Sequence, residues 1–168
     1  FVVDPNGNTL AANKSRSVAG VREAVETRYA YNAMGWMTNI AYPDGSSMAV
    51  EYDGEGRVMA FSDAGGRTTR CQYDAMGRLV RVVAPDGSVE GRGYDAEGRL
   101  AAETNRLGFV TQYAYDAMGR RTMIRRADGS VISNGYDRAG QRVSETDARG
   151  YAACFEYDAA GRVAAKID

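Results

Sequence analysis

Histidine is missing from the sequence altogether. With it go the commonest general base, the commonest metal ligand and every Ser-His or Cys-His nucleophile pair. Cysteine is nearly absent too: Cys71 and Cys154 are too few for a disulfide framework. No apolar run approaches the ~18 residues that a membrane helix needs, so no membrane span is expected. Phe1 opens the chain without the basic, apolar and small-residue pattern of a signal peptide, and the residues read as a piece of something longer. Neither sign of charge dominates. With 21 basic against 22 acidic side chains, a polyanion-binding surface is not expected, and nucleic acid drops out as a partner. Leu, Ile, Val and Phe make up only 27 of the 168 residues, which excludes a thick apolar interior. Eleven tyrosines supply the missing bulk. The expectation is a folded, core-poor protein held by backbone ladders and stacked side chains, with no catalytic residues, cofactor or metal.

What is present is a repeat. YNAMGW from Tyr31, YDGEGR from Tyr52, YDAMGR from Tyr73, YDAEGR from Tyr94, YDAMGR from Tyr115, YDRAGQ from Tyr136 and YDAAGR from Tyr157 follow one another at a constant step of 21 residues. A fixed period of about 20 to 50 residues marks an array of one supersecondary unit. Asp is favoured at the first position of a type I turn, where its carboxylate accepts backbone N–H bonds just ahead, and Gly is favoured at the fourth. Asp53, Asp74, Asp95, Asp116, Asp137 and Asp158 therefore open turns that Gly56, Gly77, Gly98, Gly119, Gly140 and Gly161 close. In a hairpin such a glycine adopts the left-handed conformation and forms a bulge. The middle positions vary freely between these fixed residues.

A second turn lies midway. Tyr42-Pro43-Asp44-Gly45 begins a series continued by Gly66, Gly87, Gly108, Gly129 and Gly150, again 21 apart. Pro43 and Pro85 sit where a fixed φ suits the turn, and Asp63, Asn105 and Asp147 open the alternate copies. Each repeat reads strand, turn, strand, turn, with strands of ordinary length. Met34, Met76 and Met118 alternate with Glu55 and Glu97 at the third motif position, so a 42-residue double hairpin is a second layer of periodicity. Residues 1–28 fit poorly and are expected to be an irregular lead-in or insertion. Asp4-Pro5-Asn6-Gly7 has turn chemistry, but Gly7 precedes Tyr31 by 24 residues where the midway series requires 7. Residues 29–168 are seven tandem repeats, truncated at both ends.

Seven hairpins give an all-β antiparallel meander, and open twisted sheets of more than ~10 strands curl. Both faces are semi-polar: Leu79, Arg81 and Val83 share one, and Arg78, Val80 and Val82 the other. That composition suits a curved wall, part of a hollow shell or spiral barrel. The motif tyrosines Tyr52, Tyr73, Tyr94, Tyr115, Tyr136 and Tyr157 are expected to form a stacked ladder, with Arg57, Arg78, Arg99, Arg120 and Arg162 stacking on the rings or pairing with the Asp of an adjacent turn. The competing reading is a sugar-binding aromatic stripe. Two carboxylates in each turn of the kind Asp53/Glu55 and Asp95/Glu97 fall short of the about six to eight oxygens of a calcium site. Arg120, Arg121, Arg125 and Arg126 form one basic cluster, read as a solvated strand surface. Trp36 and Gln141 replace the motif Arg, and Trp36 reads as a filler at the end of the ladder.

YDxxGR at this period, with glycine turns midway, resembles the YD repeat of the Rhs family, shared by bacterial wall-associated polymorphic toxins, toxin-complex C components and teneurins. The resemblance covers Tyr29 to Asp168. It implies a β-sheet that spirals into a hollow shell, enclosing a toxin domain in many bacterial members, and a secreted or bacterial cell-surface location. The implied partners are the rest of the parent shell and the enclosed toxin. Members that release a toxin carry a DPxGL-like terminator and an aspartyl self-cleaving site, and Asp4-Pro5-Asn6-Gly7 is the nearest match here. The alternative is a cell-surface module binding carbohydrate or a protein, similar to choline- and glucan-binding repeats in aromatic content. Those repeats are rich in Trp, and this chain has one.

Overall fold

The computed structural model describes residues 1–18 and 21–168. Strands are the only regular element among the described residues, and the chain divides into two units, Phe1–Ser88 and Val89–Asp168. The first unit holds β1 (Val2–Val3), β2 (Thr9–Val18), β3 (Val21–Tyr31), β4 (Met37–Ala41), β5 (Ser47–Tyr52), β6 (Val58–Ser62), β7 (Thr68–Tyr73) and β8 (Leu79–Val83). The second holds β9 (Val89–Tyr94), β10 (Leu100–Thr104), β11 (Val110–Tyr115), β12 (Arg121–Arg125), β13 (Val131–Tyr136), β14 (Arg142–Thr146), β15 (Ala152–Tyr157) and β16 (Val163–Ile167). Within each unit the strands lie in chain order, each antiparallel to the last. The all-β antiparallel meander expected from the turn spacing is what the structure has.

The turns dictate this order. At both kinds of turn the first residue's N–H donates to the carbonyl of the fifth, and the fourth residue, glycine, donates back to the first, as in Asp53 with Arg57 and Gly56 or Tyr42 with Ser46 and Gly45. Gly56 has φ of 84° and Gly45 of 86°, the left-handed region that a side chain on Cβ penalises. The extra residue produces a bulge wherever a motif tyrosine ends its strand, as at Glu51/Tyr52 and Gln72/Tyr73. Reversals this tight leave each strand no neighbour except its sequential ones.

Each unit is accordingly a single layer. Among the described residues of each unit, contacts between elements run only between strands adjacent in chain order. Among the described residues the buried hydrophobics are four alanines, Ala11, Ala60, Ala84 and Ala153, and no side chain is fully enclosed. Cross-strand neighbours on a shared face are then the main packing available, at about 0.2–1 kcal/mol per pair.

Residues 1–28 correct the expectation of an irregular lead-in. They contain β1, β2 and most of β3, and β2 and β3 pair without a break from Ala11↔Arg28 to Val18↔Val21. Because Arg28 is also opposite Ala41, the last residue of β4, seven further pairs of this hairpin extend past the edge where β4 and β5 turn. The turn at Asp4–Asn8 lies at the same edge as the Tyr31 motif turn, since β2 and β3 come between them. It is a motif-type turn, 28 residues before its successor Gly35, which is why Gly7 does not fit the spacing of the midway series. The Ala-, Ser- and Lys-containing strands there lack the β-branched alternation that announces a strand.

Candidate functional site

The motif residues meet at one edge of each unit. Asp53 shows the local construction: its Oδ1 accepts the N–H groups of Glu55 at 3.0 Å and Arg57 at 2.9 Å, while Oδ2 accepts Arg57 Nε at 2.6 Å. Asp74 with Arg78, Asp95 with Arg99, Asp116 with Arg120 and Asp158 with Arg162 repeat the pairing of carboxylate and Nε. Asp137 caps the N–H of Gln141 at 2.8 Å, glutamine standing there in place of the motif arginine. The carboxylates respond electrostatically. At Asp74, Asp116 and Asp158 the donated backbone N–H of the motif Arg is the largest influence and holds the carboxyl below its ordinary value, with desolvation opposing and the guanidinium adding to the effect at each.

The same arginine reaches forward to the next hairpin. Arg57 lies over the Tyr73 ring at 5.2 Å, Arg99 over Tyr115 at 4.9 Å and Arg120 over Tyr136 at 4.7 Å. Arg99 and Arg120 also donate from Nη1 to the carbonyls of Asp116 and Asp137, at 3.1 and 3.0 Å. Each tyrosine returns the contact. Tyr73 Oη donates to the Val58 carbonyl at 3.0 Å, one residue past the arginine that covers its ring, and Tyr52, Tyr115, Tyr136 and Tyr157 donate likewise to Met37, Leu100, Arg121 and Arg142. Tyr31 donates to Thr9. Asp fixes Arg, Arg covers the next Tyr, and that Tyr ties back to the strand behind the Arg.

This corrects two details. The arginine pairs with the Asp of its own turn, not of the adjacent one, and the tyrosines are linked through guanidinium groups instead of ring on ring. Trp36 belongs to the ladder: its ring sits 5.5 Å from that of Tyr52, where a guanidinium would otherwise lie. The glycine of the following turn faces this group, so a Cβ on Gly77 would lie 3.0 Å from Arg57 Nη1, and one on Gly161 3.2 Å from Gln141 Nε2. Tyr94 closes β9 opposite Leu100, and Gly98 has φ of 84°.

Outside the ladder, Tyr113 Oη donates to Glu103 while Arg121 lies 5.7 Å over the Tyr113 ring. Burial first, and then the bond to Glu103, push the Tyr113 phenol up to about 12. No motif position announces this pair. Glu55 and Glu97 are held by Arg57 and Arg99, and among the described residues no group of three or more His, Cys, Asp or Glu side chains could hold a metal ion. The four-arginine cluster disperses, with Arg120 on Tyr136 and Arg121 on Tyr113.

A single-layer array of β-hairpins tied edge to edge by an Asp–Arg–Tyr ladder defines a structural repeat protein. The RHS Repeat family model matches residues 52–89, 94–131 and 136–168, and the chain belongs to that family. No curated protein matches it. Among solved structures it is similar to TcdB2-TccC3, with a TM-score of 0.61 and 15% identity over 96% of this chain and 11% of that one. It is also similar to TcdB2-TccC3-TEV, with a TM-score of 0.52 and 16% identity over 98% of this chain and 11% of that one. These likenesses concern the fold, and the chain spans about a tenth of each.

Proposed function

We propose that the chain is a non-catalytic wall segment of a shell that encloses a toxin domain in a secreted or cell-surface bacterial toxin. The observation that carries this reading is the ladder. Each hairpin spends its motif side chains on the next hairpin, so the arrangement extends without limit and leaves both faces of the sheet uncovered. A wall needs both properties. Membership of the RHS repeat family and the fold shared with TcdB2-TccC3 support the same reading.

The carbohydrate-stripe alternative is disfavoured because its chemistry is already occupied. The hydroxyls of Tyr52, Tyr73, Tyr115 and Tyr157 donate to backbone carbonyls, and the Tyr73 and Tyr115 rings lie under guanidinium groups. The test is limited proteolysis of the parent protein, comparing the domain that follows the repeats in the intact protein with the same domain expressed alone. Protection only within the intact protein supports enclosure. Equal cleavage of both overturns it.

A further inference from the structure

The third position of the motif turn alternates between glutamate and methionine, and the glutamate copies reveal what that position contributes. Around Arg99 each guanidinium nitrogen is engaged: Nε on Asp95 at 2.7 Å, Nη1 on the Asp116 carbonyl at 3.1 Å and Nη2 on Glu97 at 3.1 Å. One hairpin on, Arg120 repeats the first two contacts, with Nε on Asp116 at 2.6 Å and Nη1 on the Asp137 carbonyl at 3.0 Å. Its Nη2 makes no hydrogen bond among the described residues, and Met118 stands in the place of Glu97. The two turns are otherwise alike. Asp95 and Asp116 each cap the N–H of their own arginine, and Gly98 and Gly119 close the turns with φ of 84° and 78°.

The methionine is open to solvent. Met118 is 79% exposed and lines one shallow depression with Arg120, Tyr136 and Gly140. Met34 and Met76, at the same position of earlier turns, are 68% and 80% exposed. Met37 and Met123 are half-buried in strands, and Met48 Sδ accepts the Tyr42 hydroxyl at 3.0 Å. Exposure is what makes a thioether susceptible to peroxide. The sulfur lone pair attacks one peroxide oxygen, the O–O bond breaks as the S–O bond forms, and water leaves; sulfur loses two electrons and the peroxide gains them. The new oxygen then stands as many bonds from the backbone as a glutamate oxygen does. An apolar side chain has become an acceptor of the same reach.

We propose that Met118 is an oxidative modification site: a hydroperoxide converts its thioether to the sulfoxide, whose oxygen accepts Arg120 Nη2 and completes the ladder contact as Glu97 does for Arg99. Oxidation at this edge tightens the array, whereas at Met48 it would disturb the contact with Tyr42. The change is reversible, because sulfoxide reductases return the thioether with electrons drawn from thiols.

The test is limited treatment of the whole chain with hydrogen peroxide, followed by peptide mapping and by isotope-edited spectra of the arginine side chains. Met34, Met76 and Met118 should gain oxygen before Met37, Met48 and Met123, and the Arg120 Nε signal should shift in proportion to the sulfoxide at Met118. In Met118→Leu, which keeps the bulk and removes the sulfur, peroxide should leave that signal in place. Met118→Gln carries an amide oxygen at the same reach and should shift the signal without peroxide, with the urea midpoint raised by about 0.2 M. An Arg120 signal that ignores the sulfoxide overturns the proposal, as does a Met118 that oxidises no faster than Met123. A Met118 that resists peroxide until the chain is diluted would assign the residue to a contact between copies, which also refutes it.

Discussion

Replacing Gly56 by alanine tests whether the ladder or the turn is the tighter constraint. Gly56 and Gly45 close neighbouring turns with φ of 84° and 86°, so an alanine at either suffers the same left-handed penalty, about 1–2 kcal/mol. Their surroundings differ. Nothing lies within 4 Å of a Cβ built on Gly45, whereas one on Gly56 would stand 2.8, 3.0 and 3.2 Å from three atoms of the Trp36 ring. A rigid ring cannot yield as the end of a flexible chain does, and it is already set against Tyr52. Forcing it aside adds about 1–3 kcal/mol, the ordinary range for overpacking. Gly56→Ala should therefore lose about 2–5 kcal/mol against about 1–2 for Gly45→Ala. Urea unfolding measures both, and Trp36, the chain's single tryptophan, reports directly: its emission should shift in folded Gly56→Ala and remain unchanged in Gly45→Ala. Equal losses with unchanged emission would refute the reasoning, because the Trp36 ring would then have no fixed place over the turn.

Tyr73→Phe keeps the ring beneath Arg57 but deletes the bond to the Val58 carbonyl; a loss of about 1 kcal/mol is expected in urea unfolding, with Tyr73→Ala losing more. The depressed carboxyls of Asp74, Asp116 and Asp158 contribute stability that is complete above the ordinary aspartate range and is lost as pH falls through their lowered values. Melting temperature should thus hold down to about pH 5 and fall below about pH 4, as a calorimetric series would record. Cys154 is exposed, whereas Cys71 is half-buried with its thiol pushed up by burial, so a disulfide-exchange reagent at pH 8 should modify Cys154 first. Peptide mapping after partial reaction identifies the site.

The turns were legible because each is encoded within five consecutive residues, and glycine at a fixed offset from Asp admits few conformations. Strand order followed, since reversals so tight allow no other neighbour. The ladder was legible only in its membership. That Arg57 belongs to Asp53 but covers Tyr73 depends on how adjacent hairpins are offset, a tertiary quantity that no spacing within one motif contains. The carbonyls of Val58 and Leu100 were invisible for a simpler reason: any residue supplies one. Residues 1–28 were misread because Asp4-Pro5-Asn6-Gly7 arrives out of phase, although Asn8 takes the place of the motif Arg and donates from Nδ2 to Asp4 Oδ2 at 2.8 Å.

The long β2–β3 hairpin has a consequence for rebuilding the molecule. It adds seven residues to the normal step, and yet Tyr31 still reaches the Thr9 carbonyl across it, as Tyr52 reaches Met37 across a hairpin of ordinary length. All the added length leaves from the edge opposite the ladder, so the tie between neighbouring motif turns never registers how far the chain travels between them. Midway turns such as Ala84–Ser88 are therefore the natural splice points for foreign loops or tags, whereas even a single-residue insertion between Asp53 and Arg57 would break the cap, the ion pair and the rung to Tyr73 together.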